Sequence, residues 1–449
     1  MERTLIGELG QKVGETVLIK GWVSVRRDQG KMVFFDFRDR SGTVQGVVLP
    51  NSEAIENAKE TRNEYVVAVE GKVNERPEKN RNDKAQNGNI ELEVLQLTVI
   101  TKAESLPFDM SIDGYNLDLG TELDHRALTL RHPRLQAIFK VQAVIIDSFR
   151  EYMKSQDFFE FQAPAIVPAT AEGGAEVFKV QYFDKDAFLS QSPQLYKQIV
   201  MTAFERVFSV NKVFRAEPSS TTRHLTEIVS LDAEMAFIDS WKDVRDMSEN
   251  TVRYILSEVA AKCGKELEVL GATLPAMIES TPTLSLTEAL EKLGAGADKD
   301  LNPEQERRLC EMIKEETGSD FVYVYGYPTK HKPFYVYPNP ESPEFNEGMD
   351  LLCRGVEWLS GGRRINDYAQ LVDHVEKWGM DPKKIEMFLE AFRYGVPPEG
   401  GFAFGAERMT MQMLELKNIR EATMFPRDMH RIDLLLSSDN QDDKDNPQQ

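Results

Sequence analysis

Residues 214–238, FRAEPSSTTRHLTEIVSLDAEMAFI, constrain the fold more than any other stretch of this chain. Arg215 and Glu217 stand two residues apart, ahead of a small polar segment at 218–222 and the basic pair Arg223–His224. Val229, Leu231, Ala233 and Met235 then alternate with Asp232 and Glu234. Period-two alternation predicts a half-buried strand and the Ser/Thr-rich middle a turn, so the stretch reads as a hairpin with cations near its loop. Guanidinium forks match phosphate oxygens bidentately, so these arginines suit a bound polyphosphate. A solvated hairpin tip with ordinary surface ion pairs is the plainer alternative, and the rest of the chain has to decide between them.

The 449 residues allow two or three domains, and 41% apolar with 29% charged residues is ordinary for a soluble globular protein. No apolar run approaches the ~20 residues of a membrane span, and the N-terminus lacks a basic region followed by an apolar core, so neither a membrane location nor secretion is expected. Cys263, Cys310 and Cys353 lie far apart with no metal-ligand spacing, so a reducing, cytoplasmic setting is expected and structural zinc is not. A net charge of −20 argues against a protein that coats nucleic acid, but a sum leaves room for a local basic face. Lys20, Arg26, Arg27, Lys31, Arg38 and Arg40 near the N-terminus hint at one.

Short β-rich runs at 16–25, 32–38, 43–49, 65–73 and 90–100, with a very polar loop at 74–89, predict a small five-stranded barrel of the OB type, a common platform for single-stranded nucleic acid. Phe34, Phe35 and Phe37 fall among basic residues. Alternation sends Phe34 to the face opposite Phe35 and Phe37, so at least one ring points out of the core, where it can stack on an unpaired base.

Beyond this barrel domain, assigned to 1–104, a linker is expected over 105–134. His132-Pro133 opens an amphipathic helix carrying Ile138, Val141, Ile145, Phe149 and Tyr152. An apolar segment closes at Pro164, and 171–176 reads as a mobile loop with carboxylates. A strand at 187–190 and a helix from about 193 lead to the hairpin. Residues 240–320 read as a mostly helical insertion, with a capping box at Ser285/Glu288 and Asn302-Pro303 at a helix start. Strands are expected at 321–327, 333–337 and 348–360, the last interrupted by Gly361-Gly362, and helices at 368–378 and 382–393. The tail 438–449 is acidic and polar enough to be disordered.

Gly405-Ala406-Glu407-Arg408 could let backbone approach a flat ligand while the arginine meets a phosphate. The chain has neither a GxGxxG fingerprint nor a P-loop lysine. In order along the chain, Pro164, then Phe214–Glu217 with Arg223-His224-Leu225, then Gly405–Arg408 resemble motifs 1, 2 and 3 of class II aminoacyl-tRNA synthetases. The barrel elements Gly21-Trp22-Val23, Arg38-Asp39-Arg40 and Val44-Gln45-Gly46 resemble the anticodon-binding domain of the aspartate/asparagine/lysine subgroup. The octet at 191–198, QSPQLYKQ, resembles the aspartate signature of the short archaeal/eukaryotic aspartyl-tRNA synthetases. The resemblance spans nearly all of residues 1–437.

It implies an α+β protein: an OB-fold barrel followed by a catalytic domain at 135–437, an antiparallel sheet flanked by helices that dimerises through motif 1. Its partners would be L-aspartate, ATP with Mg²⁺, and tRNA-Asp, with tRNA-Asn a further acceptor to test. Arg215 would bridge the amino-acid carboxylate and the α-phosphate, and Ala216, Glu217, Arg223, His224, Leu225, Glu357, Gly405, Ala406, Glu407 and Arg408 would hold ATP. Glu357 and Ser360 would bind Mg²⁺, and Ser360 would also line the aspartate site. Lys197 and Arg364 would surround the aspartate side chain, with Gln194 beside them and Glu172 and Asp232 on the ammonium. On the barrel, Phe34 and Gln45 would meet the central anticodon base and Glu91 the third, while Glu78 would bear on tRNA discrimination. Ile228 stands where many relatives carry an aromatic that stacks on adenine. Rival readings are an asparaginyl-tRNA synthetase, against which Lys197 argues; a synthetase-like binding protein without catalysis, against which Arg215, Glu357 and Arg408 argue; and a tRNA-independent amide-forming ligase, against which the barrel argues.

Overall fold

The structure, a computed structural model, describes residues 1–82, 86–111, 114–168, 176–218 and 221–432. Glu172, with most of its loop, and the acidic tail lie outside the described residues. The chain divides into two compact units, Met1–Leu117 and Asp118–Gln449.

In the first unit, β1 (Thr16–Gln29), β2 (Met32–Asp39), β3 (Gly42–Val48), β4 (Val66–Glu75) and β5 (Ile90–Thr101) close into a barrel in the order β1-β2-β3-β5-β4, with α1 (Ile55–Glu60) between β3 and β4. Alternation sorts β2 as its sequence predicts: Phe35 and Phe37 are fully buried and stack at 5.3 Å, while Phe34 lies on the other face, partly exposed. Gly46 has no room for a Cβ, which would sit 2.4 Å from the Phe37 ring. Three of the basic residues here are paired within the unit: Arg26 with Asp28 at 2.8 Å, Arg27 with Asp36 at 2.9 Å, and Arg38 with Glu64 at 2.7 Å.

The second unit begins with α2 (Leu119–Asp124) and α3 (Arg126–Thr129), so much of the stretch expected to be a linker is helical. Buried Arg126 donates to the Thr423 carbonyl and pairs with Glu122 at 3.1 Å. The amphipathic helix is α4 (Pro133–Ser155), and Ile138, Val141, Ile145 and Phe149 form its buried stripe. His132 is its N-cap, its Nδ1 accepting from the Arg134 N–H at 3.2 Å. Burial and the nearby Arg134 charge hold the imidazole pKa at about 4, so it stays neutral as an accepting cap requires.

After β6 (Phe159–Glu160), a small sheet of β7 (Ile166–Val167), β8 (Lys179–Tyr182) and β9 (Lys185–Leu189) precedes α5 (Gln194–Phe204). The hairpin is β10 (Arg206–Phe214) with β11 (Glu227–Ala236). Next come α6 (Trp241–Lys262), α7 (Gly264–Leu270), β12 (Thr283–Ser285), α8 (Leu286–Lys292) and α9 (Pro303–Thr317). Then follow β13 (Phe321–Tyr325), β14 (Gly348–Cys353), β15 (Val356–Arg363), α10 (Tyr368–Lys377), α11 (Glu386–Arg393), β16 (Glu399–Gly405) and α12 (Ala406–Met413).

The central sheet has eight strands in the order β12-β13-β14-β15-β16-β11-β10-β6. Neighbours are antiparallel except at the two edges, where β12 pairs with β13 and β6 with β10 in parallel. Residues 240–320 are thus woven into the sheet: β12 extends it, and α8 and α9 bury Leu286, Leu290, Leu309 and Ile313 against Val322, Val324 and Leu352. Two local expectations change. Residues 333–337 form no strand and contribute only an isolated bridge, Val336 with Arg364. The stretch expected as one strand at 348–360 is a hairpin, turning at Arg354 and Gly355, both with positive φ. Gly361-Gly362 do not interrupt β15, which continues to Arg363. Gly362 is needed because a Cβ there would lie 2.4 Å from the Glu347 carbonyl.

Candidate active site

Central strand β11 carries the site. It lies between β10 and β16 with both faces covered, so Asp232 and Glu234 are buried as completely as Leu231, Ala233 and Met235. The alternation predicted a half-exposed strand; its polar face instead lines a buried charge network. Lys197, brought in by α5 and 1% exposed, places Nζ 3.2 Å from Asp232 and 3.0 Å from Glu234. Arg364, just past the end of β15, places Nε 2.9 Å from the other Glu234 oxygen, and one Nη donates to the Gly401 carbonyl at 3.0 Å. Glu234 therefore bridges the two cations expected to surround a substrate carboxylate.

Glu399 lies in the same network, accepting from the Gln198 amide at 2.6 Å, and Gln194 in turn donates to Gln198 at 2.9 Å. Burial raises the Glu234 carboxyl, but Arg364 and Lys197 outweigh it and hold it below the usual range. Burial and the neighbouring Glu234 charge push Glu399 well above that range, which favours its neutral form. Two cations then face two carboxylates, Asp232 and Glu234. An ammonium has three donors and a guanidinium five, so Lys197 and Arg364 retain donors for a further carboxylate. Glu234, Glu399 and Gln198 were not anticipated from sequence. The available signal was Gly401, whose Cβ would lie 2.0 Å from a Glu234 oxygen: this glycine makes room for a protein carboxylate, not for a ligand.

Ser230 joins this interior to an open cleft. Its hydroxyl donates to Asp232, and it lines the cleft with Arg215, His224, Ile228, Glu357 and Arg408. The cations here are loosely paired. Arg215 is 45% exposed and 3.8 Å from Glu217, while Arg408 is 3.6 Å from Glu357 and 29% exposed. Burial lowers the His224 pKa; Glu217 opposes this, and Arg408, Arg223 and Arg215 lower it further, so the ring stays neutral amid three arginines. The Ala216 N–H donates to the Glu176 carbonyl at 3.1 Å. Leu225 and Ala406 are buried. Glu407 is 3% exposed and takes the Val229 N–H at 3.0 Å, tying α12 to β11. Of the third glycine-rich motif, then, Gly405 and Arg408 are the partly exposed residues.

Glu357 and Ser360 are three apart, which on a regular strand puts them on opposite faces. A bulge prevents this. Ser360 pairs with Asp350 and Glu357 with Leu352, and the register shift between Leu351 and Leu352 leaves Trp358 as the extra residue. Glu357, Ser360 and Asp350 thereby share a face. One Asp350 oxygen is held by Lys332 at 2.9 Å, and the other is buried with no hydrogen-bond partner among the described residues. Burial and Asp350 raise the Glu357 carboxyl against the pull of Arg408, Lys332 and Arg215, although the side chain is 38% exposed in the cleft. Crowded carboxylates with an unsatisfied oxygen are a donor set that suits a hard cation. No three His, Cys, Asp or Glu side chains form a cage among the described residues, but Mg²⁺ ordinarily takes one or two carboxylates plus substrate phosphates.

On the barrel, Phe34, Gln45 and Glu91 all face outward on the adjoining strands β2, β3 and β5, opposite in parity to buried Phe35, Val44 and Leu92. Glu78 is exposed in a short 3₁₀ turn, Glu78–Asn80.

Comparison with known proteins gives the family of both units. Residues 118–429 match the family model described as tRNA synthetases class II (D, K and N), and residues 17–100 match the OB-fold nucleic acid binding domain. The chain is 41% identical over 447 residues to the aspartate–tRNA(Asp/Asn) ligase of Deinococcus radiodurans, covering 96% of this chain and 99% of that protein. It is 40% identical over 430 residues to the aspartate–tRNA(Asp) ligase of Pyrococcus abyssi, covering 93% and 96%. Among solved structures, asparaginyl-tRNA synthetase from Pyrococcus horikoshii complexed with asparaginyl-adenylate superposes with a TM-score of 0.88 at 34% identity, covering 96% of this chain and 99% of that one. The chain belongs to the class II aminoacyl-tRNA synthetases of the aspartate, lysine and asparagine group.

Proposed function

We propose that this protein is an aspartate–tRNA ligase that activates L-aspartate with ATP and transfers it to the 3′ end of tRNA-Asp. The observation that carries the reading is the buried pair Lys197 and Arg364, each with a donor left beside Glu234. An aspartate side-chain carboxylate accepts from those remaining donors. Asparagine, nearly isosteric but neutral, turns an amide NH₂ toward them, so that donor faces donor, at a cost of several kcal/mol. Asp232 receives the substrate ammonium, and Glu172, outside the described residues, is assigned the same role. Gln194 and Ser360 line the amino-acid side.

In the cleft, Arg215 spans the α-carboxylate and the α-phosphate, so the attacking oxygen and the phosphorus are held together while charge develops. Glu217, Arg223, His224 and Leu225 border ATP, and Arg408 takes its distal phosphates. Ala406 and Glu407 act from behind by fixing Gly405 and Arg408. Glu357 and Ser360, with Asp350 beside them, would hold Mg²⁺, which would neutralise phosphate charge there. Neither step needs a protein nucleophile. Ile228 offers adenine an aliphatic face in place of a ring.

Phe34, Gln45 and Glu91 contact the anticodon, and exposed Glu78 bears on the choice between tRNA-Asp and tRNA-Asn. The stacked, half-exposed Phe159 and Phe204, 4.2 Å apart, support a homodimer through the motif 1 region. Three buried free cysteines support a reducing, cytoplasmic location, and no helix among the described residues is long and apolar enough to cross a membrane. The test is ATP–pyrophosphate exchange with aspartate and asparagine side by side. Aspartate is expected to support it. Preference for asparagine favours the asparaginyl reading, and no exchange with either favours a non-catalytic protein. Charging of purified tRNA-Asp against tRNA-Asn then decides how many acceptors are used.

A further inference from the structure

We propose that Glu306, on α9, is a positioning residue that holds Arg223 ready for the ATP phosphates. Residues 240–320 would then contribute to nucleotide binding through one ion pair. The proposal rests on the ATP-binding reading of Arg223 given above.

Arg223 differs from its two neighbours in the cleft. Arg215 and Arg408 lie 3.8 Å and 3.6 Å from their nearest carboxylates, whereas Arg223 places one Nη 3.1 Å from a Glu306 oxygen. Its other Nη donates to the Gly355 carbonyl at 3.1 Å. The two anchors come from separate elements, α9 and the β14–β15 turn, which are locked together. Gly355 has φ +77°, and a Cβ there would lie 2.7 Å from the Arg307 Cα. The start of α9 is itself fixed by the Asn302 cap, whose side chain accepts from the Glu304 and Gln305 N–H groups, and by Pro303 in the first turn. The guanidinium is thus aimed by tertiary packing and not by its own loop.

Glu306 is only 17% exposed, and besides Arg223 it is influenced by Glu357 and Arg408. A free arginine must be ordered when a phosphate arrives, which costs rotamer entropy; one already held does not. The pair leaves Nε and further Nη protons for a ligand.

The test is a double-mutant cycle on ATP binding, measured by calorimetry without aspartate, with the KM for ATP and for aspartate measured in the exchange assay. Glu306→Ala is expected to weaken ATP about tenfold and to leave the aspartate KM within about twofold. Glu306→Gln, whose amide oxygen still accepts from Arg223, should recover part of the loss and keeps the test open if the alanine variant fails to fold. In an Arg223→Ala background Glu306→Ala should have no further effect. Unchanged or tighter ATP binding, or the same loss in both backgrounds, would overturn the proposal. Coupled ATP binding without aspartate-dependent exchange would retain it while sinking the aspartate reading, and exchange without coupling would do the reverse.

Discussion

Two charged regions meet at Ser230 and differ in every physical respect. The interior network of Lys197, Asp232, Glu234 and Arg364 is almost fully buried and paired at 2.9–3.2 Å. The cleft of Arg215, Glu357 and Arg408 is partly exposed, with pairs at 3.6–3.8 Å. Buried charges must be balanced before any ligand arrives, so the interior is stable only as a complete set and can reject a ligand of the wrong charge. Exposed charges are weakly held and screened, so the cleft can release its cations to a polyphosphate. On the proposed function, one region serves discrimination and the other capture.

The largest expected effect comes from breaking the interior set. Lys197→Leu leaves Asp232 and Glu234 without their shared cation, and a stability loss of about 3–5 kcal/mol is expected in denaturant titration. Aspartate-dependent exchange should fall by roughly a thousandfold while ATP affinity stays within about threefold. Equal loss of both would show that the two regions are one. Arg408→Ala should act in the opposite sense, raising the KM for ATP by roughly ten- to a hundredfold while stability changes by no more than about 0.5 kcal/mol. An aspartate KM that rose in step would break the comparison from the cleft side.

A pH-dependent effect lies at the seam. Glu407 is buried like the interior but belongs to the cleft motif, and burial raises its carboxyl to about 7, against the Val229 N–H it accepts. Because the folded pKa lies above the unfolded one, this group's contribution is complete below about 4.5 and is lost as pH rises through about 7. Glu407→Gln keeps an acceptor and cannot ionise. It should therefore gain up to about 3 kcal/mol over the parent at pH 8 and nothing at pH 4, read from paired unfolding curves. A constant offset across pH would show that burial does not raise the folded Glu407 carboxyl above its unfolded value.

The barrel was legible because β-sheet alternation is local: the positions of Phe34, Phe35 and Phe37 follow from period two alone. The hairpin and the amphipathic helix followed in the same way, because caps and periodicity are written at fixed short spacings; the motif residues came from the family resemblance instead. Glu234 was visible as one carboxylate of an alternating strand, but alternation does not reveal whether a polar face meets water or another layer. Only the placement of β11 between β10 and β16, with α5 delivering Lys197, buried it. That Glu357 and Ser360 share a face contradicts simple strand parity and depends on a bulge fixed by pairing with β14. The role of 240–320 was hidden likewise, since Glu306 gains meaning only where α9 meets the β14–β15 turn and Arg223. The sequence by itself determined which groups are present and the local elements that carry them. Tertiary structure decided which charges are desolvated and which share a face, because burial and cross-strand register depend on residues far apart in the chain.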